Sequence, residues 1–269
     1  MSTITTSSTL SSIRASFGSW PMDRDFGDLR PFQCLYLAGC RFLAKFQDKY
    51  ILKIFNDGGE IVERELRMMI LAGDCSVTPL GQIFRDGKLH GIIMPYKTPI
   101  IPPSPRGPYM HLAPPNFSRS DKPRLINQLQ ILVSRLHKKG IIHGDIKPLN
   151  LLLCSIEEMR FCDFGDTAVD GEGDIPHAMS IQYSSPFMCK IVELVSLTKA
   201  EDLYAMGISM WEIYTGQIPF ADVDNDMIEE VIKLGGRPDI TLVDDAMTAQ
   251  LIVSYLDCGN RLLHKSTSP

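Results

Sequence analysis

The run His143-Gly144-Asp145-Ile146-Lys147-Pro148-Leu149-Asn150 places an imidazole, a carboxylate, an ammonium and a carboxamide within eight residues, directly ahead of the apolar stretch 151–153. A turn carrying solvated charges can look like this. So can a site that handles phosphate and a metal ion. Thirteen residues after Asn150, the strand-like run 159–162 delivers Asp163-Phe164-Gly165, so two aspartates and an asparagine fall at the ends of adjacent short strands. A hard dication such as Mg2+ takes oxygen ligands from one or two side chains and completes its shell with phosphate and water. Asn150 and Asp163 suit that task. Asp145 is then left to accept a proton from an attacking hydroxyl, and Lys147 to reach a phosphoryl group in transfer.

These groups need elements to hold them. Upstream, Leu125, Leu129, Leu132 and Leu136 share one face of a helix that ends at Gly140. Farther upstream, the short aromatic and β-branched runs "FQCLYL", "FLAKF" and "YILKIF" predict an antiparallel meander of three strands. Residues 60–73 then place Val62, Leu66, Met69 and Ile70 at helical spacing, with Gly73 as the stop. Two more strands are expected at 80–84 and 90–96, joined by the turn "RDGK". The stretch 97–116 holds too many prolines for a helix or a central strand and reads as a surface crossing. Beyond it the character is helical. The run 203–216 is apolar almost all round and predicts a buried helix, and 226–236 and 245–259 predict two more. The class is α+β, with a small five-stranded antiparallel lobe carrying one helix and a larger, mainly helical lobe.

Composition narrows the function classes. A net charge of −5 over 269 residues gives no electrostatic basis for nucleic-acid binding. No apolar run reaches the length of a membrane span. The seven cysteines are scattered without a C-x-x-C pair, which favours a reducing compartment, cytoplasmic or nuclear, over a disulfide framework or structural zinc. Residues 1–30 start Ser/Thr-rich and read as a disordered tail, with a transit peptide as the alternative.

From about residue 31 the chain resembles a protein kinase of the serine/threonine branch. "HGDIKPLN" resembles the catalytic loop usually written H-R-D-x-K-x-x-N, and "DFG" the metal-binding motif that follows at this spacing. "YILKIF" resembles the strand whose lysine, here Lys53, holds phosphates. The helix after it resembles the one whose glutamate pairs with that lysine; Glu65 fits best, with Glu60 and Glu63 as alternatives. "GIIMPY" resembles the strand running into the hinge. The resemblance implies a bilobal fold with residues 31–96 as the small lobe and 97–269 as the large one, the Pro-rich crossing occupying 97–120. It implies ATP and Mg2+ as cofactors. Lys53, Glu65, Asp145 and Lys147 are the expected catalytic groups, and Asn150 and Asp163 the metal ligands. Gly39, Ile51, Met94, Pro95, Tyr96 and Leu152 join Lys53 around the nucleotide. The run 201–220, "EDLYAMGISMWEIYTGQIPF", resembles the buried helix of the large lobe whose aspartate, here Asp202, anchors the catalytic loop; Asp202, Trp211 and His143 read as structural. The oxygens of Asp145, Asn150 and Asp163 and the Lys53 amine are expected to converge on one pocket between the lobes.

Four positions depart from the family pattern. No G-x-G-x-x-G exists, and only Gly39 lies clearly between the first two strands. Ile51 stands where a small alanine covers the adenine. Gly144 replaces the arginine that meets a phosphate on the segment from Asp163 to about Phe187, so activity is expected not to depend on phosphorylation of Thr167, Ser180 or Tyr183. Phe187 replaces a glutamate that pairs with a distant arginine, with Arg261 as the candidate. Three functions fit: transfer of phosphate to serine or threonine of proteins, a pseudokinase scaffold, or a small-molecule kinase of the aminoglycoside or choline type. "IKPLN", "DFG" and the buried helix lean to the protein side. The protein substrate is not legible. The segment 99–115 is a candidate for binding a partner in extended polyproline form.

Overall fold

The computed structural model describes residues 20–38, 41–101, 117–172, 180–191 and 196–265. They divide into two compact units. The first comprises the described residues up to Glu63 together with Thr78–Tyr96, and the second comprises Arg64–Val77 and those from Lys97 onward.

The first unit is built on one sheet. The elements in chain order are β1 (Arg24–Asp25), β2 (Phe32–Ala38), β3 (Arg41–Phe46), β4 (Tyr50–Phe55), helix α1 (Glu60–Ala72, whose later turns belong to the second unit), β5 (Gly81–Arg85) and β6 (Lys88–Pro95). The order across the sheet is β1-β5-β6-β4-β3-β2. The five expected strands are antiparallel neighbours, and the sheet gains a sixth, β1, which pairs parallel with β5 at the edge. That strand corrects the expected tail over 1–30. Residues up to 19 lie outside the described ones, but Asp23 accepts a hydrogen bond from Gln82 N at 2.8 Å. Leu29 is fully buried in the cluster formed by Ala44, Phe46, Leu52, Ile54, Ile83 and Ile93. The β5–β6 hairpin turns through Asp86 (φ 53°) and Gly87 (φ 74°), the two positive-φ residues that a tight two-residue hairpin requires.

The second unit contains β7 (Thr98–Pro99), α2 (Asp121–Lys138), β8 (Ile141–Ile142), β9 (Leu151–Ser155), β10 (Glu158–Phe161), β11 (Ala168–Val169), α3 (Pro186–Lys190), α4 (Lys199–Thr215), α5 (Ile228–Lys233) and α6 (Ala246–Lys265). The first residues of the Pro-rich crossing are ordered. Thr98 and Pro99 pair with Leu153 and Leu152 at a sheet edge, where proline costs no ladder bond. Ile100 and Ile101 are buried. Residues 102–115 of the proposed partner segment lie outside the described ones. The leucine face of α2 is buried throughout, and the helix stops before Gly140 at φ 73°. Every residue of α4 from Glu201 to Tyr214 except Leu203 is buried, and the helix closes on Gly216, left-handed at φ 71°. Among the described residues no helix is long and apolar enough to cross a membrane, and none of the described cysteines is in a disulfide.

Candidate active site

The loop from β8 to β9 carries the candidates Asp145, Lys147 and Asn150, and Asp202 of α4 holds it. Asp202, 1% exposed, accepts His143 N (2.8 Å) and Gly144 N (2.9 Å), and its Oδ2 also meets His137 Nε2 at 2.7 Å. Two consecutive amides aimed at one carboxylate fix the backbone entering Asp145. Gly144 takes φ 80°, and a β-carbon there would lie 2.4 Å from Asp166 O and 2.8 Å from Leu197 Cδ1. His143 is packed against Phe161 (ring centroids 4.1 Å apart) and Phe164 (5.3 Å). Burial holds its imidazole below the ordinary pKa despite the surrounding aspartates, so it is neutral and its Nδ1 can accept from Asp145 N at 3.3 Å.

Asp145 is the hub of the loop. Its Oδ2 receives Lys147 Nζ at 2.7 Å and Asn150 Nδ2 at 2.9 Å, and its Oδ1 receives the Ser180 hydroxyl at 2.7 Å. Lys147 Nζ also donates to Ser180 Oγ at 2.7 Å. Burial alone would push the Asp145 carboxyl up. The charge and hydrogen bond of Lys147 and the Ser180 hydroxyl outweigh it, and the net position is below the ordinary value. The group is therefore an ionised acceptor at neutral pH.

Asn150 and Asp163 sit at the neighbouring ends of β9 and β10. Leu151 pairs with Phe161, and Cys162 N donates to Asn150 O at 3.1 Å. Both N–H bonds that orient the Asn150 amide go to Asp145, to its carbonyl (2.8 Å) and its carboxylate. That leaves Asn150 Oδ1 as the atom that could hold a metal ion. Asp163 Oδ1 accepts Gly165 N at 3.2 Å, and Phe164 is fully buried. Among the described residues no group of three or more His, Cys, Asp or Glu forms a metal cage. One amide oxygen and one carboxylate are nonetheless the donor set that fits Mg2+, which keeps waters and phosphate in its remaining positions. On the same unit Glu65, fully buried, accepts Phe164 N at 3.4 Å and so touches the backbone beside Asp163.

The other candidates belong to the first unit, apart from Leu152, which lies half-buried on β9. Lys53 is 3% exposed on β4, with Nζ 5.5 Å from the centre of the Phe55 ring. Ile51 pairs with Met94 across β4 and β6, Pro95 pairs with Tyr50, and Tyr96 N donates to Lys49 O at 2.7 Å. Gly39 lies outside the described residues, as does the Arg261 side chain.

A family model for the protein kinase domain matches residues 58–251, nearly three quarters of the chain. The chain belongs to the protein kinase family. Glu65, Asp145, Lys147, Asn150 and Asp163 of this kinase lie inside the matched stretch, and Lys53 lies just ahead of it. The kinase is 34% identical over 122 residues to a probable myosin light chain kinase of Dictyostelium discoideum, covering 44% of this chain and 38% of that one. It is 29% identical over 168 residues to a CBL-interacting serine/threonine-protein kinase of Arabidopsis thaliana, covering 60% and 37%. A putative serine/threonine-protein kinase/receptor of Acanthamoeba polyphaga mimivirus is 35% identical over 138 residues, covering 49% and 8%. The matched stretch thus spans less than two fifths of each of these relatives.

Sequence reasoning missed several residues of this kinase site. Ser180 was read only as a phosphorylation candidate, yet it bridges Asp145 and Lys147. Thr167 is fully buried and donates to His143 O at 3.1 Å. Tyr183 donates to Glu212 at 2.5 Å, and Ser185 donates to Glu201 at 2.9 Å. Burial pushes both of these carboxyls up, Glu201 to about 7 and Glu212 to about 8. All three hydroxyls considered for a phosphate switch are therefore engaged. Replacing Ser180 by Ala is expected to raise the KM for peptide and lower turnover by about tenfold, one hydrogen bond to a charged group on each side being lost. Steady-state kinetics of the purified variant checks this, and unchanged constants would show the bridge to be idle.

Proposed function

We propose that the protein transfers phosphate from ATP to serine or threonine hydroxyls of protein substrates, with Mg2+. The observation that carries the reading is the Ser180 contact. An aliphatic hydroxyl already donates to Asp145 Oδ1 and accepts from Lys147 Nζ, both at 2.7 Å. An incoming hydroxyl can meet the same carboxylate beside Ser180, because each carboxylate oxygen accepts more than one hydrogen bond. Asp145, held as a carboxylate by Lys147, orients that hydroxyl and takes its proton as the oxygen attacks. Lys147 steadies negative charge as it develops. Asn150 Oδ1 and Asp163 would hold Mg2+, which when bound would neutralise charge on the phosphates. Lys53 would hold the α- and β-phosphates, as the family pattern implies. A cytoplasmic or nuclear site of action fits thiols such as Cys75 and Cys189, which burial pushes above the ordinary pKa and makes unreactive.

The test is radiolabelled transfer to a serine/threonine peptide library, run beside thermal unfolding with millimolar ATP and Mg2+. Transfer with a raised melting point is expected; saturation about 100-fold above Kd stabilises by about 2.7 kcal/mol. A raised melting point without transfer would turn the reading toward a nucleotide-binding scaffold. Transfer confined to small alcohols would turn it toward a small-molecule kinase.

A further inference from the structure

Arg64, half-buried on α1 one residue before Glu65, reaches the backbone that follows Asp163. Its Nη1 donates to Gly165 O at 2.7 Å and its Nη2 to Thr167 O at 2.8 Å. The part of α1 that carries it is tied to the same unit. Asp74, just past its end, pairs with Lys139 at 2.8 Å, and Val77 N donates to Phe161 O at 2.9 Å. The segment that Arg64 grips is held again downstream. The Thr167 hydroxyl bonds His143 O, and β11 pairs with β8 through Ala168–Ile142 and Val169–Ile141. Asp163 is thus followed within six residues by a fork from α1, a side-chain bond to the catalytic loop and a strand pairing.

The chemistry of the fork matters. A guanidinium presents planar, rigid donors that can satisfy two carbonyls at once, whereas an ammonium is a point charge on a flexible stem. Two of its acceptors here are main-chain oxygens, present whether or not the segment carries phosphate. Gly144 removes the arginine through which a segment phosphate would otherwise act. Arg64 supplies a cation on the same segment from a different element and aims it at permanent acceptors.

We infer that Arg64 is a positioning residue that sets the Asp163 carboxylate through the backbone of residues 165–167 and makes the metal site independent of phosphorylation. This rests on the phosphotransferase reading above. Arg64→Met and Arg64→Lys are compared with the wild type in the full chain. Three quantities are measured: turnover against Mg2+ concentration, Mn2+ affinity by electron paramagnetic resonance with a non-hydrolysable ATP analogue, and melting temperature. In Arg64→Met the half-saturating Mg2+ and the Mn2+ Kd rise by about tenfold, a shift of about 1.4 kcal/mol. Arg64→Lys falls between, and phosphatase treatment leaves the wild type unchanged. If Arg64→Met does not fold, Arg64→Lys alone decides. A lysine variant matching the wild type in both metal readouts overturns the inference, as does a wild type that loses activity to phosphatase. A wild type whose Mn2+ affinity responds to these substitutions but which transfers no phosphate sinks the phosphotransferase reading and leaves the clamp standing.

Discussion

Asp145→Asn abolishes phosphoryl transfer while nucleotide binding persists. The carboxylate accepts Lys147, Asn150 and Ser180 across its two oxygens. An amide offers one oxygen and one NH2: turned one way its NH2 faces the N–H donors of Lys147 and Asn150, and turned the other way it faces the Ser180 hydroxyl, which must then accept instead of donate. It also cannot take a proton from the acceptor hydroxyl. Loss of a general base lowers rates by about 10²- to 10⁴-fold. Steady-state transfer assays, with ATP affinity by calorimetry as the control, check the outcome, and undiminished transfer would end the proposed mechanism. The same carboxyl sets a pH limit. Its pKa is depressed on folding, so its stabilising contribution is present above the unfolded value near 3.8 and is lost as pH falls through the lower folded value. Activity that depends on ionised Asp145 therefore persists well into the acidic range.

Asp202→Ala is expected to cost more in stability than any other single change at the site. The carboxylate is buried and satisfies two loop amides and His137. Its removal leaves His143 N and Gly144 N without an acceptor and an imidazole facing a void. Breaking a buried charged network of this kind costs about 3–5 kcal/mol. For a domain of this size that lowers the melting temperature by roughly 10 °C, at about 2–4 °C per kcal/mol. Activity falls with it, because the backbone entering Asp145 loses its support. Calorimetry and transfer assays on the variant test this; a melting temperature within a degree or two of the wild type would show that the loop holds its shape unaided.

The parts of this molecule that were legible in the sequence share one property: their partners lie nearby in the chain or their periodicity is strong. Asp145, Lys147 and Asn150 fall within six residues and bond one another, so residue type and spacing sufficed. The four leucines of α2 and the apolar surround of α4 declared themselves by helical period. What escaped had remote partners. Ser180 reaches Asp145 across 35 residues and Arg64 reaches Gly165 across 101, and nothing in the local sequence of either announces the contact. β1 escaped for a different reason. Two exposed residues carry no alternation, and what fixes the segment is the Asp23 bond to Gln82 and the burial of Leu29. The buried glutamates of α4 were hidden by the same apolar run that made the helix easy to find.

Gly144 is closed to side chains. With Asp166 O and a Leu197 methyl filling the space a β-carbon would enter, an arginine placed there collides with the neighbouring main chain, and its left-handed backbone adds strain. Installing the residue that the family pattern expects at 144 therefore takes a compensating shift around Asp166 as well as the substitution itself.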